Sequence, residues 1–76
     1  MITINEWERL RKRAILIKEQ YPKGTRVQLT HMDDIQAPPI GTLGTVMGVD
    51  DIGSIMVLWD TGSTLSVTDA DECVRI

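Results

Sequence analysis

The residues of this 76-residue chain that could take part in chemistry are mainly carboxylates at turns. Asp33-Asp34 and Asp50-Asp51 form two acidic pairs, and Asp60 opens an Asp-Thr-Gly-Ser run. A hard cation such as Ca²⁺ needs several oxygen ligands that converge on one point, and the spacing of these pairs does not match a calcium-binding loop. We therefore predict solvated turn residues and no metal. Contact with a cationic surface of a partner is the alternative.

The run from Leu58 to Ser63 is similar to the signature of aspartic proteases, in which two aspartates share a proton and activate water. A homodimer could supply two copies of Asp60. Only 14 residues follow Gly62, however, which is too few for a flap and a bracing strand. Asp-Thr-Gly also suits a turn, because the carboxylate can cap the backbone and glycine accepts positive φ. A turn is predicted, and no enzyme activity or catalytic residue is expected.

The basic residues divide the chain into two parts of opposite charge. Residues 1–21 carry five basic and three acidic side chains, whereas residues 22–76 carry three basic and eight acidic ones. Phosphate contacts need lysine and arginine, so a domain that binds nucleic acid over its whole surface is disfavoured. The basic cluster is interpreted as a solvated helix face, with contact to phosphate or to an acidic partner as the alternative. Its members are Arg9, Arg11, Lys12 and Arg13.

An amphipathic helix is predicted at the N-terminus. Thr3 and Glu6 match a capping box, and Pro22 forbids continuation. The apolar stripe at spacings of three and four is Trp7, Leu10, Ala14, Ile17 and Tyr21. We predict a helix from Ile4 to Glu19 and assign residues 1–21 to an N-terminal helix that packs on the rest or serves self-association.

Residues 22–76 alternate as short strands between turns, which predicts a small five-stranded SH3-like barrel. The expected strands are Thr25–Thr30, Gly41–Val49, Ser54–Asp60, Thr64–Val67 and Cys73–Ile76. Gly48 predicts a bulge in the second strand. The third strand is apolar on both faces, so the helix is expected to cover Met56 and Leu58. Trp59 is assigned either to the core or to a ligand groove, and the fold class is mainly β with one helix.

The run from Pro38 to Ser63, with the pattern P-P-x-G-T-x-G-T-V-x-G-V-D-D-x-G-x-I-x-V-x-W-D-x-G-S, resembles a family of small bacterial phage and mobile-element proteins. That family is known only as a domain of unknown function. Tyr21–Thr25 and Met32–Asp34 extend the similarity over residues 21–76. The resemblance implies an SH3-like barrel and a viral or plasmid context, and it implies no activity.

These features predict a non-enzymatic binding protein that acts by occupying the surface of another protein. An inhibitor of a host defence system would be one form of such a binding protein. An oligomeric sponge for a nucleotide signal and a nucleic-acid-binding adaptor are the alternatives, both using the basic cluster for phosphate. Homo-oligomerisation stays open, and neither a cofactor nor a membrane is expected. The single cysteine and the lack of an apparent signal peptide favour the cytoplasm, that of the host if the chain is phage-encoded. Contacts with a partner are predicted at Asp33, Asp34, Asp50, Asp51, Trp59 and Asp60.

Overall fold

The structure, a computed structural model, describes residues 4–76, which form one helix followed by four strands. The elements are α1 (Ile4–Gln20), β1 (Arg26–His31), β2 (Leu43–Val49), β3 (Ile55–Trp59) and β4 (Glu72–Arg75). The mainly β class with one N-terminal helix is confirmed, and the helix ends one residue beyond its predicted end. The capping role predicted for Thr3 lies outside the described residues.

The four strands form one antiparallel sheet in the order β3-β2-β1-β4. Strand β1 pairs with both β2 and β4, and β2 pairs with β3. The register of β2 against β3 shifts between Val46 and Gly48, so the predicted bulge is confirmed. The sheet does not close, because β3 and β4 form its two edges without pairing with each other. The prediction of a closed five-stranded barrel is therefore corrected to an open sheet of four strands.

The predicted strand Thr64–Val67 lies beside β3 but does not form a continuous ladder. Ile55 and Val67 exchange two backbone hydrogen bonds of 2.8 Å, and the Trp59 N–H donates to the Ser63 carbonyl at 2.8 Å. The same register would pair Val57 with Leu65 between these points. The Leu65 carbonyl instead accepts a hydrogen bond from the Trp59 indole Nε1–H at 2.9 Å. The Leu65 carbonyl thus bonds to a side chain, and the pairing of Ile55 with Val67 is an isolated bridge.

One face of the sheet carries the hydrophobic core. Its largest fully buried side chains are Trp59, Leu29, Val27, Val46 and Val57. Gly44 of β2 lies directly under Trp59, because a Cβ at that position would be 2.7 Å from Cε3 of the ring and 2.6 Å from Cγ1 of Val57. Only glycine leaves room for the indole there, so the aromatic ring packs against bare backbone.

The C-terminal half of α1 covers the open side of this core. Ala14 is buried, and Ile17 and Tyr21 pack against the core cluster. The Arg75 guanidinium donates to the Gln20 carbonyl at 3.0 Å, which ties the end of the helix to β4. A cleft at this contact is lined both by Ile17 of the helix and by residues of β3 and β4. The C-terminal half of the helix therefore packs beside residues of both β3 and β4.

The expectation that α1 covers Met56 and Leu58 is wrong. These side chains lie on the face opposite the core and are 41% and 43% exposed. The open sheet explains the difference, because the edge of the core itself needs a cover and the helix supplies it.

Substitution of Gly44 by alanine tests the close contact with Trp59. We expect G44A to lower the free energy of unfolding by about 1–3 kcal/mol, because the added methyl group would overlap the indole and Val57. The matched control is G48A in the same strand, where an added Cβ would meet only the flexible Cε of Met56 at 3.1 Å. Urea denaturation measures both variants. Equal stability of G44A and G48A would contradict the packing described for Trp59.

Candidate functional site

The sheet face opposite the core presents apolar side chains around a charged pair. The register places Arg26 opposite Thr45 and Thr45 opposite Leu58, so these three lie in one row across the sheet. In the next row, Gln28 lies opposite both Leu43 and Val74. We call this surface the outer face, and its members are Arg26, Gln28, Leu43, Thr45, Met56, Leu58 and Val74. Met56, Leu58 and Val74 are 41%, 43% and 45% exposed.

A bidentate ion pair between Arg26 and Asp60 lies at the border of the outer face. The guanidinium Nη1 donates to Oδ1 of Asp60 at 2.8 Å, and Nη2 donates to Oδ2 at 2.7 Å. Nη1 also donates to Oγ1 of Thr45 at 2.9 Å. Asp60 is placed by its own backbone, whose N–H donates to the Leu43 carbonyl at 2.8 Å directly after β3. The arginine side chain therefore lies across β2 and joins β1 to the end of β3.

This ion pair changes the titration of both partners. The hydrogen bonds from Arg26 lower the pKa of the Asp60 carboxyl below its ordinary value, and the same contact raises the pKa of Arg26. Surface ion pairs of this kind add little to stability, since water competes for both groups. The main effect of the ion pair is on geometry rather than on stability, because the bidentate contact fixes the plane of the Arg26 guanidinium relative to the sheet.

The acidic loop residues predicted to meet a partner are mostly turn residues in the structure. Asp50 Oδ1 accepts from the backbone N–H groups of Ile52 at 3.1 Å and Ser54 at 2.8 Å. Asp34 Oδ1 accepts from the Gln36 N–H at 2.7 Å. The turn role predicted for these two residues is confirmed, because each carboxylate satisfies backbone donors of its own loop.

The predicted acidic contact residues do not form one surface patch. Strands β1 and β3 both run antiparallel to β2, so they end at the same end of the sheet. Asp33-Asp34 and Asp60 follow these strands, whereas Asp50-Asp51 lie in the turn between β2 and β3 at the opposite end. Asp51 is exposed there, with its carboxylate 3.8 Å from the Lys18 ammonium.

Trp59 takes the first of the two roles that the sequence left open, that of a core residue. Its side chain is 1% exposed, and its indole N–H is occupied by the Leu65 carbonyl. No face of the ring is available to stack on a ligand. The glycine that accommodates it, Gly44, is identified only by the strand register, since the two are 15 positions apart in the sequence.

The basic cluster of α1 does not converge on one point. Arg9, Arg11 and Lys12 are exposed, and successive residues of a helix are separated by about 100°, so these cations point in different directions. Arg13 is partly buried and lies 3.7 Å from the carboxylate of Asp69. Across residues 4–76, no group of three or more potential ligands could hold a metal ion. No described helix is both long enough and apolar enough to span a membrane.

The apolar members of the outer face are candidate functional residues that the sequence pattern did not assign to a site. Met56 and Leu58 were expected under the helix, and Val74 was expected in a closing strand. Their common feature in the sequence is alternation with the core residues Ile55, Val57 and Trp59, which places them on the second face of β3. That pattern identifies a two-sided strand, but it does not say which side is covered.

Acid titration of the Asp60 variant D60N tests the pair with Arg26. The carboxyl pKa is lower in the folded chain than in the unfolded one. Its contribution to stability is therefore fully present above the ordinary aspartate pKa of about 4 and is lost as the pH falls through the lower folded pKa. We expect the stability difference between wild type and D60N to shrink below about pH 4.

The matched control for this titration is R26Q, measured alone and with D60N. Without the guanidinium, the carboxyl pKa of Asp60 should return toward its ordinary value in an NMR titration. In the R26Q background, D60N should then cause no further pH-dependent change in the free energy of unfolding. A carboxyl pKa of Asp60 that is unaffected by R26Q would show that the bidentate contact does not exist in solution.

Comparison with known proteins places the chain in a family through most of its length. No curated protein and no solved structure gives a significant match. A family model does match residues 10–76, a range that begins inside α1 and includes the whole sheet. The family similarity thus extends further toward the N-terminus than the resemblance over residues 21–76 implied, while a phage or mobile-element origin stays a prediction. The chain belongs to the family described as Domain of unknown function (DUF4314).

Proposed function

We propose that this chain is a non-enzymatic binding protein whose outer face contacts a partner protein. The observation that carries the proposal is the exposure of Met56, Leu58 and Val74 on one sheet face beside the Arg26–Asp60 pair. Met56 and Leu58 are neighbours on the edge strand β3, whereas Val74 lies on the opposite edge strand β4, across Leu43 and Gln28. Exposed apolar side chains grouped on one face of a small protein are typical of interaction surfaces, because their contact with water is unfavourable.

The composition of the outer face fits recognition of protein rather than of nucleic acid. Its apolar side chains can be buried against apolar side chains of a partner, which supplies affinity. The ion pair supplies orientation, because the fixed guanidinium has more N–H donors than its three hydrogen bonds within the chain use. A partner that places a carbonyl or carboxylate oxygen over Arg26, surrounded by apolar side chains, would satisfy both parts.

The more specific expectations remain proposals. Inhibition of a host defence system is proposed from the small size of the chain, the missing catalytic sets, the acidic loops and the sequence resemblance together. Imitation of nucleic acid by the acidic loops is less favoured, because those residues lie at two ends of the sheet. The nucleotide sponge and the nucleic-acid adaptor both depend on the basic cluster of α1. Its exposed cations point in different directions, which gives neither alternative a single phosphate site.

Substitution of Leu58 by lysine tests the proposal in affinity capture from cells that encode the protein. Lysine is well tolerated on strands near a sheet edge, so we expect L58K to fold. Its charge should weaken binding of the captured partner by about tenfold or more, because an unpaired charge is unfavourable in an apolar contact. The matched control is I35K on the loop after β1, where Ile35 is fully exposed and lies outside the strands that form the outer face. Circular dichroism and thermal unfolding verify that both variants are folded.

The salt dependence of partner capture distinguishes binding through the outer face from binding through the acidic loops or the basic cluster. Capture through the apolar outer face should persist at high salt, whereas capture through acidic loops or the basic cluster should be lost. Equal capture by wild type, L58K and I35K would contradict the proposal, and so would loss of the partner at high salt alone. Catalytic turnover of a substrate by the wild-type chain would refute its non-enzymatic character.

A further inference from the structure

A second stripe on α1, separate from the residues that meet the core, is exposed to solvent. It consists of Ile4, Glu8, Arg11 and Ile15, at spacings of four, three and four, which places them on one helical face. Ile4 is 79% exposed and Ile15 is 56% exposed. All four residues line one open groove along the helix. This spacing is that of the seam of a coiled coil.

The N-terminal half of α1 has little support from the rest of the chain. The helix residues nearest to Gly53 in the β2–β3 turn are Arg13, Ala14 and Ile17, and the Lys18 ammonium lies 3.8 Å from Asp51 of the same turn. All of these belong to the C-terminal half of the helix. Trp7 is 48% exposed, although it belongs to the stripe that packs on the core further along. A short helical segment without tertiary packing is only marginally stable in water. The residues before Arg13 would therefore gain stability from a second surface.

We propose that a second copy of this chain covers the stripe by forming an antiparallel helix pair. The order of side chains argues for this occupant, because Ile-Glu-Arg-Ile read backwards places apolar opposite apolar and acid opposite base. Ile4 then meets Ile15 of the second copy, and Glu8 meets Arg11 of the second copy. The contact is symmetric about a two-fold axis between residues 8 and 11, so one patch serves both copies.

The charges also select the direction of the pair. In a parallel arrangement, Glu8 would face Glu8 and Arg11 would face Arg11, and like charges in close contact are unfavourable. Only the antiparallel arrangement pairs opposite charges in both central layers. The outer face is built from strands and takes no part in this contact, so the helix pair is independent of the function proposed above.

Charge reversal tests the pair in solution. The variant E8R places an introduced arginine opposite Arg11 of the second copy, and R11E places an introduced glutamate opposite Glu8 of the second copy. Because the contact is two-fold symmetric, each single variant has two repulsive contacts in the dimer. We expect each to raise the dimer dissociation constant about 10- to 100-fold in sedimentation equilibrium of the full chain. The double variant E8R/R11E should dimerise like wild type, because the exchanged charges again face opposite partners.

A mixture of the two single variants is the decisive measurement. E8R carries two arginines and R11E two glutamates along the seam, so the mixture should form heterodimers although each variant alone is weakened. Loss of an intrahelical contact between residues 8 and 11 could not produce this recovery. The control is L16S, since Leu16 is exposed on a different side of α1 and should leave dimerisation unchanged.

Three results would overturn the proposal. The first is a wild-type chain that sediments as a monomer at every concentration reached. The second is a mixture of E8R and R11E that stays monomeric while wild type dimerises. The third is a dimer that L58K or L16S disrupts and E8R does not, because the interface would then lie elsewhere.

Discussion

The packing of Trp59 on the bare backbone at Gly44 is the contact on which the rest of this structure depends. The indole is the largest fully buried side chain, and it fits only because β2 has no Cβ beneath it. This contact fixes which face of β3 is the core. It also points the indole N–H at the segment after β3, where it binds the Leu65 carbonyl at 2.9 Å. Trp59 thus takes part both in the core and in the contact with the segment that follows β3.

The open sheet explains the position of the helix. Residues 63–67 touch β3 at both ends without completing a fifth strand. The core is then accessible between β3 and β4, and Ala14, Ile17 and Tyr21 close it. A helix used in this way cannot also cover the opposite side of the sheet. The apolar outer face is therefore a consequence of how the core is closed.

Local features of the fold could be predicted from the sequence, whereas competition between distant groups could not. The helix follows from apolar spacing and from Pro22, and the bulge follows from Gly48 between two valines. The roles of Asp34 and Asp50 follow from turn chemistry. The absence of a regular fifth strand could not be predicted, because the alternation in Thr64–Val67 does not show that the Leu65 carbonyl bonds to an indole. The candidate site on the outer face was missed for the same reason, since its exposure depends on where the helix lies.

The two stripes of α1 show how one short helix can serve two surfaces. Ala14 and Ile17 face the core, while Ile4 and Ile15 are exposed along a different line of the helix. A helix that only closed the core would need apolar residues from about Arg13 onward, where its contacts with the rest of the chain begin. The exposed stripe runs from Ile4 in the additional turns to Ile15 and places an acid–base pair between these two isoleucines, an order that a purely solvated face does not require. Because a chain of this size buries little surface by itself, extra burial against a second copy would add stability that the open sheet does not supply.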